Sequence, residues 1–289
     1  MQKTMERPAT QVGVRPSSYT TILVHAEPGL ASSHRVEAAA RYAREIDAHL
    51  IGLGAETFDP SLYSGAFEPF AAGEWVALVQ DQIAKNLKAA ETAFVRDAGG
   101  ADAEWRTIQD YPHHALVRTS HAADLIVVGP RSDRGAQISA DPADVLMGAG
   151  RPILIAPEGR SHLIGKAVVV AWKDTRECRR ALADALPLLQ RAEEVIVVAV
   201  VTADQADIAT FETDDVVANL KRHGVKARAL VTSIEHDAVE LEIERIADLN
   251  SADVIVAGGY GHSRLREWAF GGVTDSFLHR PSRFVLMSH

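Results

Sequence analysis

The sequence predicts an α/β protein of two tandem domains, each a five-stranded parallel sheet with helices on both faces. Three observations predict it. Short apolar runs rich in Val, Ile and Leu alternate with helical patterns, five times and then five times again. The runs read as strands buried on both faces, the pattern of a parallel sheet. One segment recurs, since Ala123-Asp-Leu-Ile-Val-Val-Gly129 matches Ala252-Asp-Val-Ile-Val-Ala-Gly258. A period this long marks a duplicated domain, far longer than a solenoid repeat.

The N-terminal stretch, residues 1–18, mixes Thr, Arg, Pro and Gln and lacks the apolar core of a signal peptide, so a flexible tail is expected. Strands of the first copy are expected at Thr20–Val24, Leu50–Leu53, Trp105–Ile108, Leu125–Val128 and Ile153–Ile155. A helix of several turns is expected from Trp75 to Asp97, ended by Gly99-Gly100. The first domain then spans 19–157, and Glu158 to Gly165 is the expected linker. Strands of the second copy, in 166–289, are expected at Ala167–Val170, Val195–Val200, Ala227–Val231, Val254–Val256 and Phe284–Met287. After Thr175 an apolar stripe of Cys178, Ala181, Leu182, Ala185 and Leu186 has helical period, with Asp174 or Thr175 placed to cap it. Val239, Ile243, Ile246 and Ala247 form a second such stripe. Alternation with short connections implies right-handed βαβ units.

Composition narrows the partners. A net charge of −9 counts against nucleic acid or an anionic membrane surface, which favour a basic face. The single cysteine, Cys178, allows no intrachain disulfide and fits a reducing cytoplasm; its place on the apolar stripe marks it as a buried structural thiol. No apolar run reaches the roughly 20 residues of a membrane span. His113 and His114 are adjacent and lack a third ligand nearby in sequence, so a metal role is not expected. The stretch from Thr57 to Phe70 is long for an α/β connection and carries four aromatics, the profile of a lid or partner surface, or of a loop packed on its own domain.

The candidate functional segment lies near the C-terminus. After the apolar run Asp253 to Ala257 comes Gly258-Gly259-Tyr260-Gly261, then nine residues, then Gly271-Gly272-Val273-Thr274. Gly258 ends the strand at a turn that a Cβ would obstruct, and Gly261 permits positive φ or a close ligand approach. A helix over Val273 to Arg280, stopped by Pro281, would aim free N–H groups at the loop, the usual anion-binding arrangement. Thr274 and Ser276 add hydroxyls, and Arg264 and Arg266 add positive charge. The P-loop and dinucleotide signatures are absent, so from spacing alone a plain connecting turn is an equal reading.

This segment resembles the universal stress protein family, whose nucleotide-binding members show G-x-x-G, nine residues, then G-[S/T]. Gly258, Gly261 and Gly271 fall on that spacing. The phrases Gly261-His-Ser-Arg-Leu-Arg266, Ala171-Trp-Lys-Asp-Thr-Arg-Glu177 and Phe284-Val-Leu-Met-Ser-His289 are also similar to the family's. The resemblance covers 166–289 well and 19–157 more loosely. It implies two Rossmann-like domains of strand order 3-2-1-4-5, with the crevice between strands 1 and 4. It also implies association through the fifth strands, as an intra-chain pseudo-dimer of Ile153–Ile155 with Phe284–Met287, and as a homodimer. The implied ligand is ATP or a related adenine nucleotide, with magnesium as a companion ion. The implied contacts are Trp172, Lys173, Asp174, Val200, Gly258, Gly261, His262, Ser263, Arg264, Gly271, Gly272, Val273 and Thr274.

Two positions depart from the family pattern. Lys173 stands where ATP-binding members carry an aspartate, and Gly272 where they carry a hydroxyl. The first copy departs further: Ser132 replaces the second glycine, Pro130 removes an N–H, and no nucleotide is expected there. No motif for reaction chemistry is visible. The expected role is a cytoplasmic stress-response protein that binds or senses nucleotide through its second domain. The alternatives are a slow ATPase using Asp174 or Asp275, and an interaction module without nucleotide.

Overall fold

The computed structural model describes residues 18–59, 72–234, 239–260 and 271–289. In the first half the order is β1 (Thr21–His25), α1 (Leu30–Ile46), β2 (His49–Ala55), α2 (Ala72–Ala98), β3 (Ala103–Ile108), α3 (Pro112–Thr119), β4 (Leu125–Val128), α4 (Pro142–Gly148) and β5 (Ile153–Ile155). The second half runs β6 (Ala167–Ala171), α5 (Arg176–Asp184), α6 (Leu186–Leu189), β7 (Glu194–Val201), α7 (Ala206–Arg222), β8 (Ala227–Ser233), α8 (Val239–Leu249), β9 (Val254–Gly258), α9 (Gly271–His279) and β10 (Phe284–Ser288).

All ten strands form one sheet, in the order β3-β2-β1-β4-β5-β10-β9-β6-β7-β8. Each half therefore has the order 3-2-1-4-5 expected for it. Every neighbouring pair is parallel except β5 with β10, which run antiparallel with Ile155 opposite Val285 and Ile153 opposite Met287. This seam is the pairing of fifth strands, made inside one polypeptide. The core strands are buried on both faces because helices cover both sides of the sheet. The edge strands β3 and β8 carry exposed charges, Glu104 and Arg228 among them, a device that discourages further edge pairing.

The duplication extends to the polar end of the sheet. Asp124 accepts hydrogen bonds from the Thr20 and Thr21 amides at 2.8 and 3.1 Å and from the Thr20 hydroxyl at 2.7 Å. Asp253, one repeat later, accepts from the Ile164 and Gly165 amides at 2.7 and 3.0 Å. Each carboxylate ties the chain entering the first strand of its half to the start of the fourth. Burial raises the Asp124 carboxyl, but its Thr20 and Thr21 donors outweigh this and hold it below its ordinary value.

Several boundaries differ from expectation for local reasons. Thr175 caps α5, its hydroxyl accepting from the Cys178 amide at 3.3 Å, while Asp174 is drawn aside to Arg179 at 2.6 Å. The stripe from Cys178 to Leu186 is split at Ala185, because Pro187 in the first turn of α6 has no N–H for a continuous ladder. The helix expected from Trp75 begins at Ala72. Of the aromatic stretch, Phe58 packs edge-on against Trp75 with ring centroids 5.1 Å apart, and the Tyr111 hydroxyl donates to Asp59. The rest of that stretch lies outside the described residues.

Candidate functional site

The crevice of the second half opens where the strand order reverses. Ala171 pairs with Ala257 at the last rung between β6 and β9, so Trp172, Lys173 and Gly258 lie just beyond it at the same sheet edge. Val200, near the end of β7, borders that edge and packs partly buried on the core. From the far side of the loop, α9 begins at Gly271 and brings Gly272, Val273 and Thr274 to its first turn. Gly261, His262, Ser263 and Arg264 lie outside the described residues.

Each described member has a definite environment. Trp172 is buried, its amide donates to the Val198 carbonyl at 2.8 Å, and its indole N–H has no hydrogen-bond partner among the described residues. Lys173 is exposed. Asp174 is held by Arg179 through two contacts, at 2.8 and 2.6 Å. Val273 packs on the core and Thr274 is half-buried. A Cβ added at Gly272 would meet nothing within 4 Å among the described residues, so packing does not require glycine there.

A Cβ at Gly258 is obstructed, as expected, and the obstruction comes from α5. Gly258 is not among the residues with positive φ. A Cβ there would stand 2.5 Å from the Cys178 amide nitrogen and 2.7 Å from the Glu177 carbonyl carbon. Glycine is required because the first turn of α5 sits directly on the end of β9, and this contact seats the helix N-terminus at the crevice. Gly259 is pinned as well: its amide donates to the Ser288 carbonyl at 2.9 Å, and Leu146 from the first half covers it. Tyr260 follows with a φ of 55°, a left-handed conformation unusual for a residue with a side chain. The strained residue stands immediately before the glycine loop, where such strain tends to collect.

One side chain was missed in the sequence. Glu177 is buried in the first turn of α5; one oxygen accepts from Arg176 at 3.0 Å, and the other has no partner among the described residues. Its signal was an acid placed between a capping threonine and a buried cysteine.

The first half shows what the same plan becomes when its crevice is filled. Ile22 pairs with Leu125 as Val168 pairs with Val254, so His25, Glu27 and Arg35 stand where Ala171, Lys173 and Ala181 stand in the second half. All three are buried. Arg35 donates to the His25 carbonyl at 2.9 Å and faces Glu27 at 3.5 Å, while its guanidinium lies over Gly129, the counterpart of Gly258. Arg134 closes the outside, donating to the Pro28 carbonyl at 2.8 Å. Burial pushes the His25 imidazole down to about 4, with Arg35 and Arg134 assisting against Glu27. The helix entry differs too. Gly29, at φ 130°, starts α1 without a side-chain cap, where Thr175 caps α5.

The halves also clasp each other around α9. The Arg131 amide, in the loop after β4, donates to the Leu278 carbonyl at 2.8 Å, and its guanidinium bridges Asp141 at 2.8 Å and the His279 ring at 2.9 Å. Asp275 lies 3.1 Å from His279 and 3.9 Å from Arg131. The His113 and His114 rings touch at a tilt of 56°, with centroids 4.2 Å apart. Among the described residues no group of three or more His, Cys, Asp or Glu side chains could hold a metal, and no helix is long and apolar enough to cross a membrane.

Comparison with solved structures shows which known proteins share this fold. No family model and no curated protein matches the chain. Among solved structures, a universal stress protein from Archaeoglobus fulgidus DSM 4304 superposes with a TM-score of 0.67 at 16% identity, covering 92% of this chain and 94% of its own. A functionally unknown protein from Pseudomonas aeruginosa PAO1 superposes with a TM-score of 0.53 at 16% identity, covering 93% and 92%. The chain has the fold of the universal stress proteins over nearly its whole length.

Proposed function

We propose that this chain is a stress-response protein that binds an adenine nucleotide, ATP or a relative, in the crevice of its second half, and acts as a sensor or switch without robust catalysis. The observation that carries this reading is the convergence at one switch point of two first turns. The first turn of α5 is seated there by Gly258, and α9 starts at Gly271 on the far side of the glycine loop. Two helix N-termini facing one crevice favour a polyanion. Lys173 adds positive charge at the edge where the family pattern has an acid.

The division at 19–157, 158–165 and 166–289 belongs to the same reading, with the tail 1–18 outside it and with the nucleotide confined to the second domain. Magnesium enters only as the counter-ion of the phosphates, since Asp174 and Asp275 are both engaged in ion pairs. That engagement also leaves the slow-hydrolase alternative without a free acid among the two it named. A cytoplasmic location suits the one cysteine, a buried free thiol. A homodimer of whole chains would need a surface other than the β5–β10 seam, which the chain uses itself.

Calorimetric titration of the full chain with ATP tests the reading, beside mass spectrometry of small molecules released from protein purified without added nucleotide. Binding is expected, weakened about tenfold or more by Gly261→Ala and strengthened severalfold by Gly272→Ser, which restores a hydroxyl worth roughly one charge-assisted hydrogen bond. Absence of any adenine nucleotide in the released pool, with no heat at about 1 mM ATP, overturns it in favour of an interaction module.

A further inference from the structure

A helix of nine residues such as α9 is marginal on its own, so its place comes from what it packs against. Phe277 and Leu278 are fully buried. The C-terminal end of α9 is completed by the other half. The Leu278 carbonyl, one of the last four that a helix leaves without an internal partner, accepts from the Arg131 amide at 2.8 Å. The Arg131 guanidinium stands at the same end, where the helix dipole favours a cation, and lies 2.9 Å from His279 Nε2. A guanidinium only donates, so Nε2 is the acceptor and the ring proton is assigned to Nδ1. Nδ1 faces the Asp275 carbonyl at 2.9 Å and the Asp275 carboxylate at 3.1 Å. Asp141, the N-cap of α4, anchors the same guanidinium at 2.8 Å.

The support runs one way. Leu286 lies opposite Leu154 at the seam, and the same offset carries Leu278 to Leu146, His279 to Met147 and Asp275 to Ala143. Met147 and Ala143 lack the acceptors that Arg131 meets on α9, so the polar clasp is built only toward the helix that borders the second crevice. Arg131 also acts on the other flank of the glycine loop. Burial lowers its guanidinium, but the Asp141 carboxylate, with Tyr260 and Asp275, outweighs this and holds it above its ordinary value. Tyr260 precedes the glycine loop and α9 follows it, and one arginine of the first half stands by both.

We propose that Arg131 is a positioning residue for the site in the second half. The loop after β4, which has lost its own glycine spacing, holds α9 by its C-terminal end and thereby fixes where the first turn of α9 stands at the crevice. This inference rests on the nucleotide reading above. The first half then contributes to nucleotide affinity without touching the ligand.

Two measurements on the full chain test it: calorimetric titration with ATP, and hydrogen exchange of the ligand-free protein read by mass spectrometry. Arg131→Ala should weaken ATP about tenfold, within the roughly 5–150-fold span of coupled sites. His279→Ala should weaken it in the same direction, and the double variant should be no weaker than Arg131→Ala alone, since both act through one contact. Arg131→Lys keeps a donor and a cation at the helix end and should bring affinity back to within a few-fold of the parent. Without ATP, the amides of α9 should exchange faster in Arg131→Ala while those of α1 and α7 exchange as in the parent. Parent and Arg131→Ala binding ATP equally well overturns this inference alone, as do losses that multiply in the double variant or exchange that rises in α1 and α7 as much as in α9. A parent chain that binds no ATP overturns the nucleotide reading, and this inference with it.

Discussion

In the first half, Arg35 reaches from α1 across Gly129 to Glu27, with His25 beneath. In the second, the same three places hold Ala181, Lys173 and Ala171, and α5 rests its backbone on Gly258 instead. The two crevices share a strand order, a register and a glycine at the end of the fourth strand. What separates them is the wall opposite the glycine loop, where one half has put a charged plug and the other a helix N-terminus. A degenerate loop is thus only part of what distinguishes the first half, since its crevice is also filled from the other side.

The largest expected effect breaks the plug. Arg35→Ala leaves the buried Glu27 with Arg134 alone, at 3.9 Å, as its cation, and denaturant unfolding should show a loss of about 3 kcal/mol. Lys173→Ala, at the exposed counterpart of Glu27, should stay within about 0.5 kcal/mol. Equal small losses in both would mean that the plug contributes nothing and that the halves are alike.

The next effect is one of pH. His25 is neutral when folded, pushed down by burial to about 4, and it titrates near 6.5 when the chain unfolds. Between those values the unfolded chain holds the extra proton. The stability present above pH 6.5 is therefore lost as pH falls toward 4, by up to about 3 kcal/mol. His25→Asn should flatten this part of the stability profile. The second half has Ala171 in the corresponding place and adds no such dependence.

The smallest effect compares the glycines. Gly258→Ala drives a methyl into the α5 backbone, which cannot move without shifting a helix, and should cost about 1–3 kcal/mol. Gly129→Ala meets the far end of the Arg35 side chain, so its cost should be the lower of the two. The reverse order in thermal melts would show that the Arg35 guanidinium is held more rigidly than the helix.

Much of this plan was legible in the chain. The apolar runs located all ten strands, because strands buried on both faces carry an uninterrupted apolar signal, and the repeat at Asp124 and Asp253 marked their equivalence. Resemblance supplied the strand order, which periodicity does not encode. The plug was not legible. Arg35 reads as an ordinary helical charge until β1 is aligned with β6 through their pairing with β4 and β9, and that spacing differs from the one separating β4 from β9. Glu177 escaped for a similar reason: an acid in a first turn ordinarily serves the helix dipole in solvent, and only the close seat of α5 on Gly258 buries it. The pairing of Asp174 with Arg179 was not legible either, since capping rules alone do not select a partner one helical turn away.

The seam where Ile155 meets Val285 has a consequence for how such a molecule can change. Two separate chains joined along that edge would come apart on dilution and would re-form with any compatible copy. Tethered through residues 156–166, the two edges meet at an effective concentration on the order of millimolar, whatever the abundance of the protein. Each half keeps the same neighbour for its lifetime. A twofold pair of identical chains must receive every substitution twice, so it cannot fill one crevice with Arg35 and leave the other open. The tethered pair accepts each change once, which is how unequal halves can be inherited as a unit.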